Sequence, residues 1–97
     1  MTDQADDAFY DRADQHIHLS NDQLAGATRG KVSASMMYAT ARFNAWLSAK
    51  DCNTGADLAS NRAELVAYFL DSYRTMLEEN LDDYIRNFDV YMKTGLN

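Results

Sequence analysis

A glycine-flanked loop followed by a lysine is the first feature of this sequence that suggests chemistry. Gly26 and Gly30 bracket the loop, Lys31 follows the second glycine, and Val32 follows the lysine. A P-loop needs four residues between its outer glycines, Ser or Thr directly after the lysine, and a preceding strand. Here three residues separate the glycines, and a predicted helix precedes them. The sequence therefore excludes a P-loop.

The same segment still predicts a small anion site at the start of a helix. Backbone amides at a helix N-terminus attract anions, whereas cations there oppose the helix dipole, so two cations in this place need an explanation. A phosphate or a similar anion would be bound by Arg29, Gly30, Lys31 and Ser33. In the alternative interpretation, both cations interact with the negative end of the preceding helix at its C-terminus, or they pair with Asp82 and Asp83.

The residue types that bind metals or attack substrates are scattered along the sequence. His16 and His18 are two residues apart, so on a helix they point about 200° away from each other. Cys52 lies in a predicted loop, several helical turns from either histidine. The acidic run from Glu78 to Asp83 is interpreted as a solvated face rather than a hard-cation site. We therefore expect no metal, no cofactor, no catalytic residue and no enzymatic activity.

Charge is distributed in blocks along the chain. Residues 29–50 carry four cations and no acid, whereas the chain start and residues 78–83 are acidic. Such blocks indicate a basic middle helix that lies between two acidic neighbours. Arg42 stands among small and apolar residues of this helix, and we expect a structural ion pair between it and Asp71 or Asp14.

Glycines divide the chain into three segments that each carry a helical apolar period. The sequence has four glycines and no proline, and the predicted helices cover residues 6–25, 31–49 and 61–93. Asn61 and Glu64 predict a capping box for the third helix, after a short turn capped by Thr54. Short connections favour antiparallel neighbours. The predicted fold is all-α, an antiparallel three-helix bundle with a long C-terminal helix.

Composition limits the kind of protein and its surroundings. The 97 residues predict one helical domain over 1–97, with residues 1–5 disordered. A net charge of −6 argues against a nucleic-acid partner. No apolar run approaches the roughly 20 residues of a membrane span, and the acidic start is unlike a signal peptide. The single cysteine excludes an internal disulfide. The sequence thus predicts a cytoplasmic protein without a membrane partner.

The length of the third helix predicts a dimer. It would project beyond the first turn from Arg86 onward and expose an apolar end, which a soluble monomer rarely leaves bare. The predicted interface consists of Tyr84, Ile85, Phe88, Tyr91 and Met92. In the alternative, the third helix kinks near Asn80, or the N-terminal residues fold over Phe88, and the protein is a monomer.

Two segments of the sequence resemble a family of small bacterial proteins catalogued as a domain of unknown function. Residues 29–46 read RGKVSASMMYATARFNAW, and residues 76–84 read MLEENLDDY and continue through Asn87, Phe88 and Asp89. The resemblance extends from Phe9 to Met92. It implies an all-helical, cytoplasmic, proteobacterial protein, and it implies no activity, cofactor or site residue.

The sequence therefore favours a non-enzymatic protein–protein interaction module that acts as a homodimer, with a further, unidentified protein as a second kind of partner. The alternative is a regulator that binds an anion or a phosphorylated metabolite at the start of the second helix. An enzyme ranks third, since no catalytic constellation is visible.

Overall fold

The structure, a computed structural model, describes residues 6–93. Four α-helices make up this part of the protein. They are α1 (Phe9–Gln23), α2 (Arg29–Lys50), α3 (Gly55–Arg86) and α4 (Phe88–Lys93). The described residues contain no strand, so the all-α prediction is confirmed. The predicted disorder of residues 1–5 lies outside the described residues.

Threonine hydroxyls set the starts of α2 and α3. Thr28 Oγ1 accepts a hydrogen bond from the Lys31 amide at 3.3 Å, and α2 begins at Arg29 rather than Lys31. Thr54 Oγ1 accepts one from the Asp57 amide at 3.1 Å, and α3 begins at Gly55. A side-chain oxygen at this position satisfies an amide that has no partner inside the helix.

The predicted start of the third helix at Asn61 is therefore wrong by six residues. The turn capped by Thr54 continues directly into α3, and the Asn61–Glu64 pair lies inside that helix rather than at its start. The physical reason is that no residue between Gly55 and Asn61 stops a helix. Asp57, in the first turn, also complements the positive end of the helix dipole.

The predicted continuous helix to Lys93 is also wrong, because the chain leaves the helical conformation at Asn87. The backbone of Asn87 has φ −117° and ψ 28°. Its side-chain amide donates to the Asp83 carbonyl oxygen at 3.2 Å and to Asp83 Oδ1 at 2.8 Å. Asparagine side chains compete with backbone groups in this way and interrupt helices. The interruption is not near Asn80, whose side chain binds the Met76 carbonyl oxygen within α3.

The chain divides into two units, Met1–Leu47 and Ser48–Asn97. In the first unit α1 and α2 are not packed side by side, since no Cα of α1 lies within 8 Å of a Cα of α2 in the described residues. Closely packed helices have axes about 8–10 Å apart, so some Cα atoms of one helix lie within the Cα–Cα distance given above of the other. In the second unit, α4 packs against the end of α3.

Burial in the described residues is slight for a chain of this length. Val32 and Ser48 are the two buried residues among 6–93, each 6% exposed. Most large apolar side chains are exposed on α1, α2 and α3. The helices are therefore formed, and the antiparallel three-helix arrangement stays a prediction.

Candidate functional site

The predicted anion site is dispersed around an open hollow at the turn between α1 and α2. The lining of the hollow is Asp22, Gln23, Gly26, Ala27, Lys31, Val32 and Ser35. Of the predicted anion-binding residues, Lys31 lines it, whereas Arg29, Gly30 and Ser33 do not. All four are exposed.

Two features of this hollow weaken anion binding. The Thr28 hydroxyl already accepts from the Lys31 amide, so that amide is not free for a ligand. The Asp22 carboxyl lines the same hollow and brings a negative charge to it. Helix N-termini attract anions through free amides and the helix dipole, and a nearby carboxylate works against both. The arrangement offers at most one cation and the Ser35 hydroxyl to a ligand.

The most extensive feature is an apolar stripe along α3, which we call the α3 stripe. Its members follow one another at spacings of three and four residues and are Val66, Leu70, Tyr73, Leu77, Leu81 and Tyr84. Leu70 is 64% exposed and Leu81 is 53% exposed, and all members except half-buried Tyr84 are exposed. The stripe thus presents one continuous uncovered helix face to solvent.

The end of the α3 stripe is joined to α4 by a cluster of side chains that we call the α3–α4 corner. The rings of Tyr84 and Tyr91 lie 4.6 Å apart between centroids, tilted by 39°. The Tyr91 hydroxyl donates to Asp83 Oδ2 at 2.8 Å, while Asn87 donates to the other oxygen of the same carboxylate. The carboxylate of Asp83 therefore holds both Asn87, where the helix is interrupted, and α4.

This carboxylate also changes the acidity of the tyrosine. The hydrogen bond to Asp83 raises the pKa of Tyr91 above its ordinary value, and burial and the negative charge of Asp83 act in the same direction. The phenol therefore stays neutral, and stays a donor, to a higher pH than a free tyrosine. From the sequence, Asp83 was not recognised as the shared partner of Asn87 and Tyr91, although the spacing of four residues between Asp83 and Asn87 is a signal that could have found it.

The five predicted interface residues fall into two groups in the structure. Tyr84 and Tyr91 are half-buried against each other in the α3–α4 corner. Ile85, Phe88 and Met92 are exposed, Ile85 at 73% and Phe88 at 57%. The first group therefore joins α4 to α3, and the second group is exposed to solvent.

A second exposed apolar surface lies on α2. Phe43 and Trp46 form a tilted ring pair with centroids 5.7 Å apart, and both rings are more than half exposed. Arg42 next to them is exposed and makes no ion pair with Asp14 in the described part of the first unit. The predicted pair with Asp14 is therefore absent, because α1 and α2 are not packed together. The pair with Asp71, which belongs to the second unit, stays a prediction.

Three residues were singled out in the sequence for metal or nucleophile chemistry: His16, His18 and Cys52. His16 and His18 are exposed on α1, and Cys52 is a half-buried free thiol between α2 and α3. Within residues 6–93, no group of three His, Cys, Asp or Glu side chains is placed to hold a metal ion. Across the same residues, no helix has both the length and the hydropathy that a membrane span needs.

Comparison with solved structures gives a relative of known fold. The chain is similar to the NMR structure of the protein NB7890A from Shewanella sp., with 40% sequence identity and a TM-score of 0.74. The alignment covers 94% of this chain and 97% of that one. No curated protein matches the chain.

A family model gives the same assignment from sequence. The model described as "Protein of unknown function (DUF3144)" matches residues 9–85, which include α1, α2 and nearly all of α3. The segments 29–46 and 76–84 that carry the resemblance noted above lie inside this match. The chain therefore belongs to the DUF3144 family of helical proteins.

Proposed function

We propose that this chain is a non-enzymatic protein–protein interaction module that acts as a homodimer. The observation that carries the proposal is the exposed α3 stripe, which continues into exposed Ile85, Phe88 and Met92. Soluble monomers rarely expose contiguous apolar patches of this extent, and such patches mark interaction sites. The half-buried Tyr84–Tyr91 pair supplies a rigid aromatic platform at one end of the patch.

The proposal includes a packed arrangement of the helices. In the dimer, α1, α2 and α3 pack as antiparallel neighbours and bury their apolar faces, with α3 as the long C-terminal helix. Such packing would supply the core that Val32 alone does not form. We further propose a bacterial, cytoplasmic setting, supported by the family and by the Shewanella relative.

The absence of catalysis is part of the same proposal. The chemistry of the exposed surface supports this part of the proposal. Exposed apolar and aromatic side chains on helices suit contact with another protein rather than bond-breaking chemistry. A second, unidentified protein partner would use whatever apolar surface the dimer leaves exposed.

The alternative function, a regulator that binds an anion or phosphorylated metabolite, is supported by the hollow beside Lys31 and Ser35. The Asp22 carboxyl in the same hollow counts against it. Titration of inorganic phosphate into labelled protein, followed by NMR, tests it. If the chain is such a regulator, millimolar phosphate should shift the NMR resonances of residues 29–35, and Lys31→Glu should abolish these shifts. Resonances that do not move would rule the regulator out.

Light scattering at micromolar concentration tests the homodimer. We expect a mass twice that of the 11.0 kDa chain. Phe88→Asp should yield monomers, because it places a charge in the apolar end of the patch. Tyr10→Asp is the matched control, since Tyr10 is an exposed aromatic residue of α1 outside the patch. A monomer mass for the wild-type protein would refute the homodimer.

A further inference from the structure

We propose that the α3–α4 corner is a conformational switch with Asn87 as its hinge. In the interrupted state, which the structure describes, the helix breaks at Asn87 and α4 packs on the end of α3. In the continuous state Asn87 is helical, and α3 and α4 form one helix whose apolar face reaches Tyr91. The inference goes beyond the proposed homodimer and does not rest on it, because both states belong to a single chain.

The first support is that an asparagine side chain alone does not interrupt a helix in this chain. Asn80 donates to the carbonyl oxygen of Met76, four residues earlier, at 2.7 Å, and α3 continues through it. Asn87 donates to the Asp83 carbonyl oxygen in the same way at 3.2 Å, yet the helix is interrupted there. The second position differs by the carboxylate of Asp83, which binds Asn87 and Tyr91. The interruption therefore depends on these contacts.

The second support is that helical hydrogen bonds already span the hinge. The Asn87 N–H donates to the Asp83 carbonyl oxygen at 2.9 Å, and the Tyr91 N–H donates to the Asn87 carbonyl oxygen at 3.1 Å. Both bonds join residues four apart, as in an α-helix. Residues 56–94 contain no glycine and no proline, the residues that most often end a helix. The conversion between the states is therefore a local change of the backbone around Asn87.

The third support is that the apolar period of the α3 stripe continues beyond the interruption. Leu77, Leu81, Tyr84, Phe88 and Tyr91 follow one another at spacings of four, three, four and three residues. In a continuous helix, at about 100° per residue, these five side chains would lie within an arc of about 80°. A period of this kind is typical of one helix with one apolar face.

Two contacts of the corner belong to the interrupted state alone. The ring centroids of Tyr84 and Tyr91 are 4.6 Å apart, whereas seven residues of a continuous helix would separate the two positions by about 10.5 Å along the axis. The Tyr91 hydroxyl lies 2.8 Å from Asp83 Oδ2, whereas eight residues would separate these two positions by about 12 Å. Because the continuous helix breaks both contacts, they select the interrupted state.

The switch sets how far the apolar face of α3 extends. In the interrupted state, Tyr84 and Tyr91 pack on each other while Ile85, Phe88 and Met92 are exposed. In the continuous state these five residues would share one face, within an arc of about 120°, and the face would reach about 10.5 Å beyond Tyr84. Binding to this longer face would therefore shift the balance toward the continuous state.

Tyr91→Phe tests the switch, because it removes one hydrogen bond of the corner and leaves the ring and the helix propensity nearly unchanged. We expect the secondary Cα shift of Asn87 to move toward the helical range and the nuclear Overhauser effect between the rings at positions 84 and 91 to weaken. Asn87→Ala, added to Tyr91→Phe, also removes the bonds of the hinge side chain and should complete both changes.

Two choices make the NMR measurement specific. Labelled protein is observed in an excess of unlabelled protein, so that the ring contact seen is one within a single chain. Chemical shifts report the conformation of residue 87 directly, whereas the amides of a frayed helix end exchange quickly even when the helix is continuous.

Asn80→Ala is the matched control, since it removes an asparagine that makes the same bond to the carbonyl oxygen four residues earlier, away from the corner. It should leave the shifts of residues 86–91 and the ring contact unchanged, and a control that moved them would count against the switch. Circular dichroism checks that each variant is helical. If the double variant does not fold, Tyr91→Phe and Asn87→Ala alone decide by the same two readouts.

Two further results would overturn the inference. If the ring contact and the shift of residue 87 persist in the double variant, the interruption is a fixed property of the chain. If the ring contact is lost but residues 87–91 take unstructured shifts, α4 leaves α3 without joining it in one helix. Neither result bears on the homodimer, whose mass is measured separately by light scattering.

Discussion

The two helix-to-helix corners within the units of this molecule are held in different ways. At the α3–α4 corner, one carboxylate accepts hydrogen bonds from Asn87 and Tyr91, and two rings pack beside it. At the α1–α2 turn, backbone bonds such as Leu24 N–H to Asn21 O close the end of α1, and one threonine hydroxyl caps α2.

Side-chain hydrogen bonds can thus hold a corner even where little apolar surface is buried. The α3–α4 corner has half-buried residues from both of its helices and a defined packing contact. The α1–α2 turn fixes where each helix ends and begins but does not bring their faces together. The following experiments test this difference.

The largest effect is expected for Asp83→Ala, which removes the shared acceptor of the α3–α4 corner. Two hydrogen bonds are lost together, from the Asn87 amide and the Tyr91 hydroxyl, so α4 should come away from α3. Amide hydrogen exchange should then show α4 exchanging as freely as an unstructured segment. Asp82→Ala is the control, since Asp82 is the neighbour of Asp83 but takes no part in the corner, and equal exchange in both variants would show that Asp83 does not hold α4.

A smaller effect is expected for Thr54→Ala, which removes the hydroxyl that caps α3. Loss of such a cap typically costs about 1 kcal/mol. Thr28→Ala should cost less, because the Thr28 bond of 3.3 Å is longer than the Thr54 bond of 3.1 Å. Thermal unfolding followed by circular dichroism measures both, with Thr40→Ala as a mid-helix control. The reverse order would mean that the α1–α2 turn is held more firmly than its geometry indicates.

The α3–α4 corner should also respond to alkali. The pKa of Tyr91 is raised, so the neutral phenol contributes stability that is fully present below the ordinary tyrosine pKa of about 10 and is lost as pH rises through the higher, folded value. Absorbance of the phenolate should show one tyrosine that ionises later than the others and disappears in Tyr91→Phe. Simultaneous ionisation of all tyrosines would contradict the bond to Asp83.

The smallest effect is expected before α1, where Asp6 pairs with Arg12 at 2.8 Å on an exposed surface. The hydrogen bond from Arg12 lowers the pKa of Asp6 below its ordinary value. The pair therefore stabilises the start of α1 above a pH of about 4 and loses this effect as pH falls through the lowered value. The carboxyl chemical shift of Asp6 measures the titration, and Arg12→Gln should return it to the ordinary value.

The positions of the helices follow from the sequence because they depend on local signals. The apolar periods of α1, α2 and α3 and the glycines between them are properties of neighbouring residues. The start of α3 was misplaced because Asn61 and Glu64 look like a capping box. Thr54 is the actual cap, and no residue after it interrupts the helix before Asn61. Two local signals competed, and only the backbone conformation decides between them.

The candidate sites were harder to predict because they depend on what lies across from a residue. Ile85 and Phe88 were expected at an interface, which stays a prediction for these two exposed residues, whereas the packing of Tyr84 on Tyr91 required the break at Asn87. That break depends on the Asp83 carboxylate, which accepts from Asn87 four residues later and from Tyr91 eight residues later, and apolar periodicity does not reveal these bonds. The opposite charges of α2 and α3 are visible in the sequence, but the surface that each helix packs against is not.

The exposed α3 stripe has a further consequence for the life of the protein in a cell. If the stripe is covered only when two copies meet, folding and association are one equilibrium, and the unfolding midpoint rises with protein concentration. At a low concentration in the cell, most copies would then be unfolded monomers, which proteases degrade. At a higher concentration, more copies would be folded dimers, which are protected from proteolysis. The abundance of such a protein would therefore rise more steeply than the rate of its synthesis.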